Sequence, residues 1–411
     1  MNIAIIGGGA AGFFLAIRVK ELLPEAHVTV FEQKQRVLAK VAITGGGRCN
    51  VTNSFRDVGD LKNVYPRGHK LMKGLFKVFS PSQTFDWFES QGVRLVTQDD
   101  QCVFPQSQDA ASIVGCLTKR AAQLGVEIRT AHSVTDIRPT EDGFRLFFAN
   151  PKQDDGPAYR LVAVTTGGAP HGKGLGYLER MGHAVAEPIP SLFTFNLTDE
   201  RLKALMGTVV ENAQTALPGT KFRSSGPLLI THWGMSGPAI LKLSSYAARY
   251  LQTCGYRCTL SVNWTGTCDE TVAEALRQTA GLHARKQLQN VRAFDLPERL
   301  WTFLLEKAGL PADKRWGELG KKGLNRLTDR LCNDTYALSG RGTYREEFVT
   351  CGGISLDAVH RHSLESKVCP GLYFAGEVLD IDAITGGFNL QAAWTTGYAA
   401  AQAMADKVRK G

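Results

Sequence analysis

Apolar and polar positions repeat along this chain with two periods, and each change of period marks an element. Asn2-Ile3-Ala4-Ile5-Ile6 is an unbroken apolar run of a length that predicts a short buried strand. Gly7 to Gly12 predicts a tight turn, Phe13 to Leu23 a helix, and Val28 to Glu32 a second strand. Ser80 before Pro81 predicts a capped helix over Pro81 to Gln91. Val103 to Ser107 reads as a connector. Ile113, Val114, Leu117, Ala121 and Leu124 then recur at helical spacing, predicting a core-facing helix that Gly125 ends. Further strands are predicted from Val126 to Arg129, Val134 to Ile137, Phe144 to Phe148 and Leu161 to Thr165, with Glu141-Asp142-Gly143 as a hairpin turn.

After Pro188 and Pro190 the texture changes. Residues 191 to about 265 alternate strand and turn signals, and about 269 to 340 carry a helical period broken at Pro297 and Pro311. Strand character returns over Tyr344 to Ile354 and again from Gly371 to Phe374, and the glycine pair Gly386-Gly387 opens a helix running to about Lys407. The pattern therefore predicts an α/β domain made of 1–190 and 344–411. Between them lies an insertion over 191–343, strand-rich over 191–265 and helical over 266–343.

Composition is that of an ordinary soluble chain of 411 residues. The first predicted strand starts at residue 2, and no apolar run is long enough to span a bilayer, so a cytoplasmic protein without membrane contact is expected. Nine cysteines lack paired spacing, which predicts reduced thiols; Cys254, Cys258 and Cys268 lack a fourth ligand at a matching spacing, so no metal is expected. The net charge of +9 suits an anionic cofactor and permits RNA contact, without distinguishing either from a dispersed basic surface.

The order strand, Gly7-Gly8-Gly9-Ala10-Ala11-Gly12, helix, strand, Glu32 is that of a dinucleotide-binding βαβ unit. Gly7 makes the turn, Gly9 admits a pyrophosphate to the backbone, and Gly12 lets the helix approach the strand. The N–H groups of the helix start, with Ala10 and Ala11, face the phosphates. Glu32 is placed to accept from both hydroxyls of an adenosine ribose, and its charge disfavours a 2′-phosphate. Gly45-Gly46-Gly47 followed by Arg48 is a second loop on which a flat or anionic ligand can lie. Leu161 to Thr165 runs into Gly167-Gly168, and Leu372 to Ala375 into Gly376-Glu377, so two more strands deliver glycine to the same ligand. A helix starting at Gly387 would stabilise negative charge on the pyrimidine edge of a reduced flavin.

With these residues assembled, the sequence resembles the BaiN/RdsA-type bacterial FAD-dependent oxidoreductases, a two-dinucleotide-fold flavoprotein family that also includes aminoacetone oxidases. The resemblance spans nearly the whole chain and rests on Gly7 to Gly12, Ile43 to Asn53, Val103-Phe104-Pro105, Thr231 to Pro238, Thr350 to Gly353, and Phe374 to Gln391. It implies a Rossmann-like FAD-binding domain built from both chain ends, an inserted small β-barrel with a helical subdomain, and FAD rather than NAD in the first site. Carried over by position, it implies Gly376 and Glu377 at the ribityl and phosphate region, Gly387, Phe388 and Asn389 beside the isoalloxazine ring, and the Val134 backbone at adenine. The sequence departs from the family's usual Ser, Thr and Asp at Ala169 to Gly174.

Flavin carries the redox chemistry, so the protein has mainly to position a substrate and tune the ring. His232 is the candidate acid or base, and Arg48 a candidate for binding an acidic substrate or a flavin phosphate. Cys49 lacks the nearby second cysteine that a dithiol reductase needs. A second dinucleotide fingerprint is missing, so NAD(P)H, if it reduces the flavin, docks transiently. The expected activity is FAD-dependent oxidoreduction of a small organic substrate, either reduction of an enone-like bond with NAD(P)H or amine oxidation. The alternatives are an RNA-modifying flavoprotein, ranked behind it, and a flavin sensor. Gathering of Arg285, Lys286, Arg292, Lys314, Arg315, Lys321 and Lys322 on one face would favour RNA; dispersal would favour a small molecule.

Overall fold

The protein is described from a computed structural model that covers residues 1–153, 158–169, 174–341 and 349–410. It divides into two compact units, Met1–Pro190 with Val349–Gly411, and Ser191–Phe348.

The first unit is organised on a parallel sheet of five strands: β1 (Asn2–Ile6), β2 (His27–Phe31), β3 (Glu127–Arg129), β4 (Leu161–Val164) and β5 (Leu372–Phe374), in the order β5-β4-β1-β2-β3. β4 and β5 are buried throughout, which is why they read as unbroken apolar runs: helices cover both faces of such a sheet. The first helix, Ala10–Leu22, starts three residues earlier than its apolar pattern suggests, so Gly12 lies in its first turn. It packs against the C-terminal helix, Phe388–Lys410, which runs slightly past the expected Lys407.

Ser80 caps Pro81–Ser90 with a capping box, as the Ser-Pro step indicates, and Ile113, Leu117 and Ala121 are the buried face of Ala111–Gln123. The expected connector at Val103 is instead a strand, Cys102–Pro105. It is central in a small antiparallel sheet with Thr52–Asn53 and Leu95–Thr97, because Val103 and Phe104 are both buried. The strand expected over Tyr344 to Ile354 is seen at Val349–Ile354, and its first residues lie outside the described ones.

The second unit holds a closed six-stranded barrel of Phe195–Leu197, Gly234–Ser236, Arg223–Thr231, Val209–Ala216, Thr259–Asn263 and Asp334–Arg341. Two features depart from the sequence pattern. Helices Pro238–Tyr246 and Ala248–Thr253 interrupt the strand-rich stretch, and the closing strand, Asp334–Arg341, comes from the end of the stretch read as helical. That strand has period 2, with Asp334, Tyr336 and Leu338 inward. Helices Asp269–Leu282, Glu298–Lys307 and Gly320–Cys332 supply the helical part, over a core that includes Trp264, Trp301 and Trp316. Inside it, the fully buried Asp334 carboxylate accepts from Trp264 Nε1 at 3.0 Å and Arg330 Nη1 at 3.0 Å, pairs with Lys307 Nζ at 2.6 Å, and meets the Tyr336 hydroxyl.

Candidate functional site

All five sheet strands are parallel, so their carboxyl ends lie on one edge, where ligands bind in open α/β sheets. That edge gathers Gly7 after β1, Glu32 after β2, Thr165 to Gly168 after β4, and Gly376-Glu377 after β5. The glycines at its centre are forced by contact. A Cβ on Gly12 would lie 2.0 Å from the Gly7 carbonyl oxygen and 2.6 Å from Thr165 Oγ1, and one on Gly7 would lie 2.4 Å from the Thr165 carbonyl oxygen. Thr165 Oγ1 donates toward the carbonyls of Ile6 (3.1 Å) and Gly7 (2.9 Å), locking β4 against the turn.

Gly9 differs: nothing lies within 4 Å of a Cβ built there, and no side chain caps the helix it precedes. The start of the first helix, with Gly9, Ala10, Ala11 and Gly12, therefore presents backbone N–H groups and the positive end of a dipole to open space, which fits an FAD pyrophosphate. Glu32 is half-buried; Oε2 accepts from Gly8 N at 2.9 Å and Oε1 from Lys34 N at 2.8 Å. These bonds fix the carboxylate beside the turn with lone pairs to spare for hydroxyl donors. His132 N donates to the Glu32 carbonyl at 2.8 Å, bringing the segment that leads to the half-buried Val134 alongside.

On the other side, Gly376 has φ 78° and would place a Cβ 2.8 Å from that of Ala11, so the two ends of the chain touch here. Glu377 Oε1 accepts from Thr350 N at 2.8 Å, and its Oε2 meets Lys40 Nζ at 3.1 Å; Gly167 faces the same carboxylate. Gly387 (φ 86°) lies against the Thr52 carbonyl, and Asn53 Nδ2 donates to the Gly386 carbonyl at 3.1 Å. This places the start of the long C-terminal helix beside the segment that follows the second glycine loop. Phe388 turns its ring into a cluster with Phe55 and Tyr65, and its carbonyl accepts from Tyr65 Oη at 2.8 Å. The Asn389 amide is engaged by Ala383, at 2.9 Å through both its oxygen and its nitrogen. What Phe388 and Asn389 offer a ligand is thus chiefly backbone.

Gly45, Gly46 and Gly47 all have positive φ, and a Cβ on Gly46 or Gly47 would meet nothing. Arg48 is exposed, its guanidinium 4.4 Å over the Phe104 ring, with Nε toward the Gly45 carbonyl at 3.3 Å and Nη1 toward Gln108 Oε1 at 3.4 Å. Cys49 is buried, and burial pushes its thiol up to about 12, so it stays protonated. His232 belongs to the second unit, exposed on the turn between Arg223–Thr231 and Gly234–Ser236, its ring 4.2 Å from that of Trp233.

Several ties that shape this edge join residues whose pairing the sequence does not show. Thr52 Oγ1 bonds Gln391 Oε1, and Trp394 Nε1 donates to the Val51 carbonyl at 2.9 Å. Arg67 grips the fully buried Asp382 with two nitrogens. The run of small polar residues at Asn50 to Asn53 was a usable signal for the first tie; Arg67 and Asp382 are too far apart in the chain to give one. Among the described residues no cluster of His, Cys, Asp and Glu suits a metal, and no helix is long and apolar enough to cross a membrane.

Comparison with known proteins places this geometry. Residues 1–403 match the HI0933-like protein Rossmann domain family. The chain is 28% identical to a 3-dehydro-bile acid delta(4,6)-reductase of Clostridium scindens, over 99% of both chains. It is 29% identical to a ribosomal RNA dihydrouridine synthase of Haemophilus influenzae, over 97% of this chain and 96% of that one. The fold is shared with a 3-ketosteroid delta1-dehydrogenase of Sterolibacterium denitrificans at TM-score 0.51 and 12% identity, over 98% of this chain and 99% of that one. The chain belongs to the HI0933-like family of FAD-binding Rossmann-fold oxidoreductases.

Proposed function

We propose that this protein reduces a carbon–carbon double bond conjugated to a carbonyl, taking its electrons from NAD(P)H through FAD. One observation carries the reading. Two relatives, each matched over nearly its whole length, bear names for the same kind of step: a delta(4,6)-reductase acting on a 3-dehydro (3-keto) bile acid, and a synthase forming dihydrouridine from uridine. In both, a hydride and a proton add across a double bond activated by a carbonyl.

On this reading Gly9 to Gly12 would hold the FAD pyrophosphate, Glu32 its adenosine ribose, the backbone at Val134 its adenine, and Gly167, Gly376 and Glu377 its ribityl chain. Gly387 to Asn389 and the Gly45 to Arg48 loop would hold the isoalloxazine ring. Bound flavin would supply the hydride for the carbon β to the carbonyl. The first unit's own part is electrostatic and positional: the start of the C-terminal helix favours negative charge beside it. Each turnover converts NAD(P)H to NAD(P)⁺ and saturates one double bond.

The test is anaerobic stopped-flow of the yellow protein. NADH or NADPH should bleach the flavin, and a conjugated enone, but not its saturated ketone, should restore the colour. Bleaching by an amine and by neither nicotinamide would overturn the reading in favour of an amine oxidase.

A further inference from the structure

Two thiols of the second unit meet at a reversal of the chain. The helix Ala248–Thr253 ends at Cys254, where Gly255 N donates to the Gln252 carbonyl at 2.9 Å and Tyr256 N to the Leu251 carbonyl at 2.7 Å. Arg257 N then donates to the Cys254 carbonyl at 3.1 Å, closing a turn. Gly255 (φ 61°) and Tyr256 (φ 58°) are both left-handed, a conformation uncommon for a bulky side chain. The reversal lays Cys258 against Cys254, close enough for a hydrogen bond between the two thiols. Both are free and half-buried, packed on the rim of the barrel core where solvent still reaches them. Other cysteines are placed differently. Cys49, Cys102, Cys351 and Cys369 are buried. Cys268 and Cys332 line one cavity, but Cys332 is buried and its thiol donates to the Asp269 carboxylate.

The environment orders the two sulfurs. Burial, and then the charge and hydrogen bond of Cys254, pushes the Cys258 thiol up to about 12. Cys258 therefore stays protonated beside a reduced Cys254, and the first attack on an oxidant falls to Cys254, whose Sγ donates to the Leu251 carbonyl at 3.3 Å. Once Cys254 carries a neutral oxidised sulfur, its share of that upward push is gone, and Cys258 is freed to attack it.

We propose that Cys254 and Cys258 are a modification site for hydroperoxides, closing a reversible disulfide that clasps the seam of the barrel. With hydrogen peroxide, Cys254 sulfur attacks one oxygen: an S–O bond forms, the O–O bond breaks, and one water leaves with the Cys254 proton. Cys258 sulfur then attacks the sulfenic sulfur: the S–S bond forms, the S–O bond breaks, and a second water leaves with the Cys258 proton. The thiol pair loses two electrons and the peroxide gains them. A small dithiol reverses the step by exchange and is itself oxidised to a disulfide.

The seam is where the first and last barrel strands meet, Phe195 pairing with Arg341. Cys258 holds the last strand, its carbonyl accepting from Leu338 N at 2.9 Å. Between the two cysteines, the Tyr256 ring lies 5.5 Å from that of Phe193, just ahead of the first strand, and the Arg341 guanidinium lies 5.5 Å from the same ring. A covalent link across Tyr256 thus fixes the residue that touches both sides of the seam.

The test treats the flavin-loaded full chain, freshly reduced and desalted, with a few equivalents of hydrogen peroxide, then blocks remaining thiols with N-ethylmaleimide and maps tryptic peptides by mass. Cleavage after Arg257 separates the two cysteines, and Cys268→Ser leaves peptide 258–277 with one thiol. Peptides 250–257 and 258–277 should appear joined, lighter by two hydrogens than their sum, and should separate after dithiothreitol. Cys258→Ser should instead accumulate a dimedone-reactive sulfenic acid at Cys254, and Cys254→Ser should leave Cys258 fully alkylated at the same dose. Hydrogen exchange at the Leu338 amide should slow at least ~3-fold on oxidation of the parent and stay unchanged in either single variant. Thermal midpoint and flavin absorption report whether each variant is folded. Both thiols alkylated after peroxide, a sulfinic acid at Cys254 beside an alkylated Cys258, or Cys254 joined to any other cysteine would overturn the disulfide. A disulfide that leaves exchange at Leu338 unchanged would overturn the clasp.

Discussion

Gly9→Ala and Gly12→Ala add the same methyl group three residues apart and should have opposite consequences. At Gly12 the new Cβ lies 2.0 Å from the Gly7 carbonyl oxygen, more than 1 Å inside van der Waals contact. Thr165 cannot yield without giving up its contacts to Ile6 and Gly7. The helix cannot retreat toward the C-terminal helix, because Gly397 is itself so close that a Cβ there would sit 2.9 Å from the Ala11 carbonyl oxygen. The overpacking should cost about 1–3 kcal/mol, exceeding the ~1 kcal/mol that alanine returns in helix propensity. At Gly9 a Cβ meets nothing, and φ is −91°, open to any L-residue. The apoprotein's stability should therefore change by no more than ~0.5 kcal/mol. The methyl group would instead occupy the space assigned to the pyrophosphate, so FAD should bind at least ~10-fold more weakly, about 1.4 kcal/mol. Urea unfolding of the apoproteins gives the first quantity and titration of flavin fluorescence the second. Gly9→Ala with parental FAD affinity would refute the pyrophosphate's placement, and Gly12→Ala with parental stability would refute the packing argument.

Three further outcomes follow from buried groups. Asp334→Ala should destabilise the protein by about 3–5 kcal/mol in urea unfolding, since it removes the buried carboxylate shared by Lys307 and Arg330 and leaves Arg330 only the exposed Asp329 at 3.8 Å; a loss under ~1 kcal/mol would mean that solvent already screens them. His183 is held below its ordinary 6.5 by burial, with Nδ1 facing the Leu178 carbonyl and Nε2 facing Ser366 Oγ. Only the unfolded chain takes up this proton readily, so its contribution is complete above pH 6.5 and is lost as pH falls from there toward the depressed folded value. His183→Gln should flatten that part of the pH–stability curve, and an unchanged curve would contradict the assignment. Native alkylation followed by mass spectrometry should modify the exposed Cys268 and spare Cys49, whose thiol is buried and raised to about 12; rapid labelling of Cys49 would reopen a thiol role for it.

The first βαβ unit was legible because each of its signals is local: an apolar run, glycines at fixed offsets and an acid after the next strand. The barrel was harder, because its closing strand, Asp334–Arg341, follows a helix directly and begins with a carboxylate. Buried acids read as turn or surface until Lys307, Arg330, Tyr336 and Trp264 are seen around them. Phe388 and Asn389 show a different limit. Their positions agree with the expectation that the glycine pair opens a helix at the ligand edge, but their side chains are spent on Tyr65, Phe55 and Ala383, contacts that no periodicity encodes. Net charge shows the limit most plainly. The +9 total mixes cations bonded to carboxylates with cations that have none, and only the former cancel locally.

The ties that build the ligand edge run between distant parts of the chain yet remain within the first unit. Trp394 reaches Val51, Gln391 reaches Thr52, Gly386 meets Asn53, Phe388 meets Tyr65, and Asp382 holds Arg67. Each fixes the approach to the C-terminal helix, whose dipole the proposed chemistry uses, against the segment after the second glycine loop. Asp382 matters most among them because it is fully buried: taking Arg67 away would leave a carboxylate without its principal counter-charge, a defect worth several kcal/mol. A device of that strength on a loop leading to a helix start makes sense if that start must hold one position. On the proposed reading the same geometry would serve any conjugated substrate, and two relatives of nearly equal identity bear names as different as a bile acid reductase and an RNA dihydrouridine synthase.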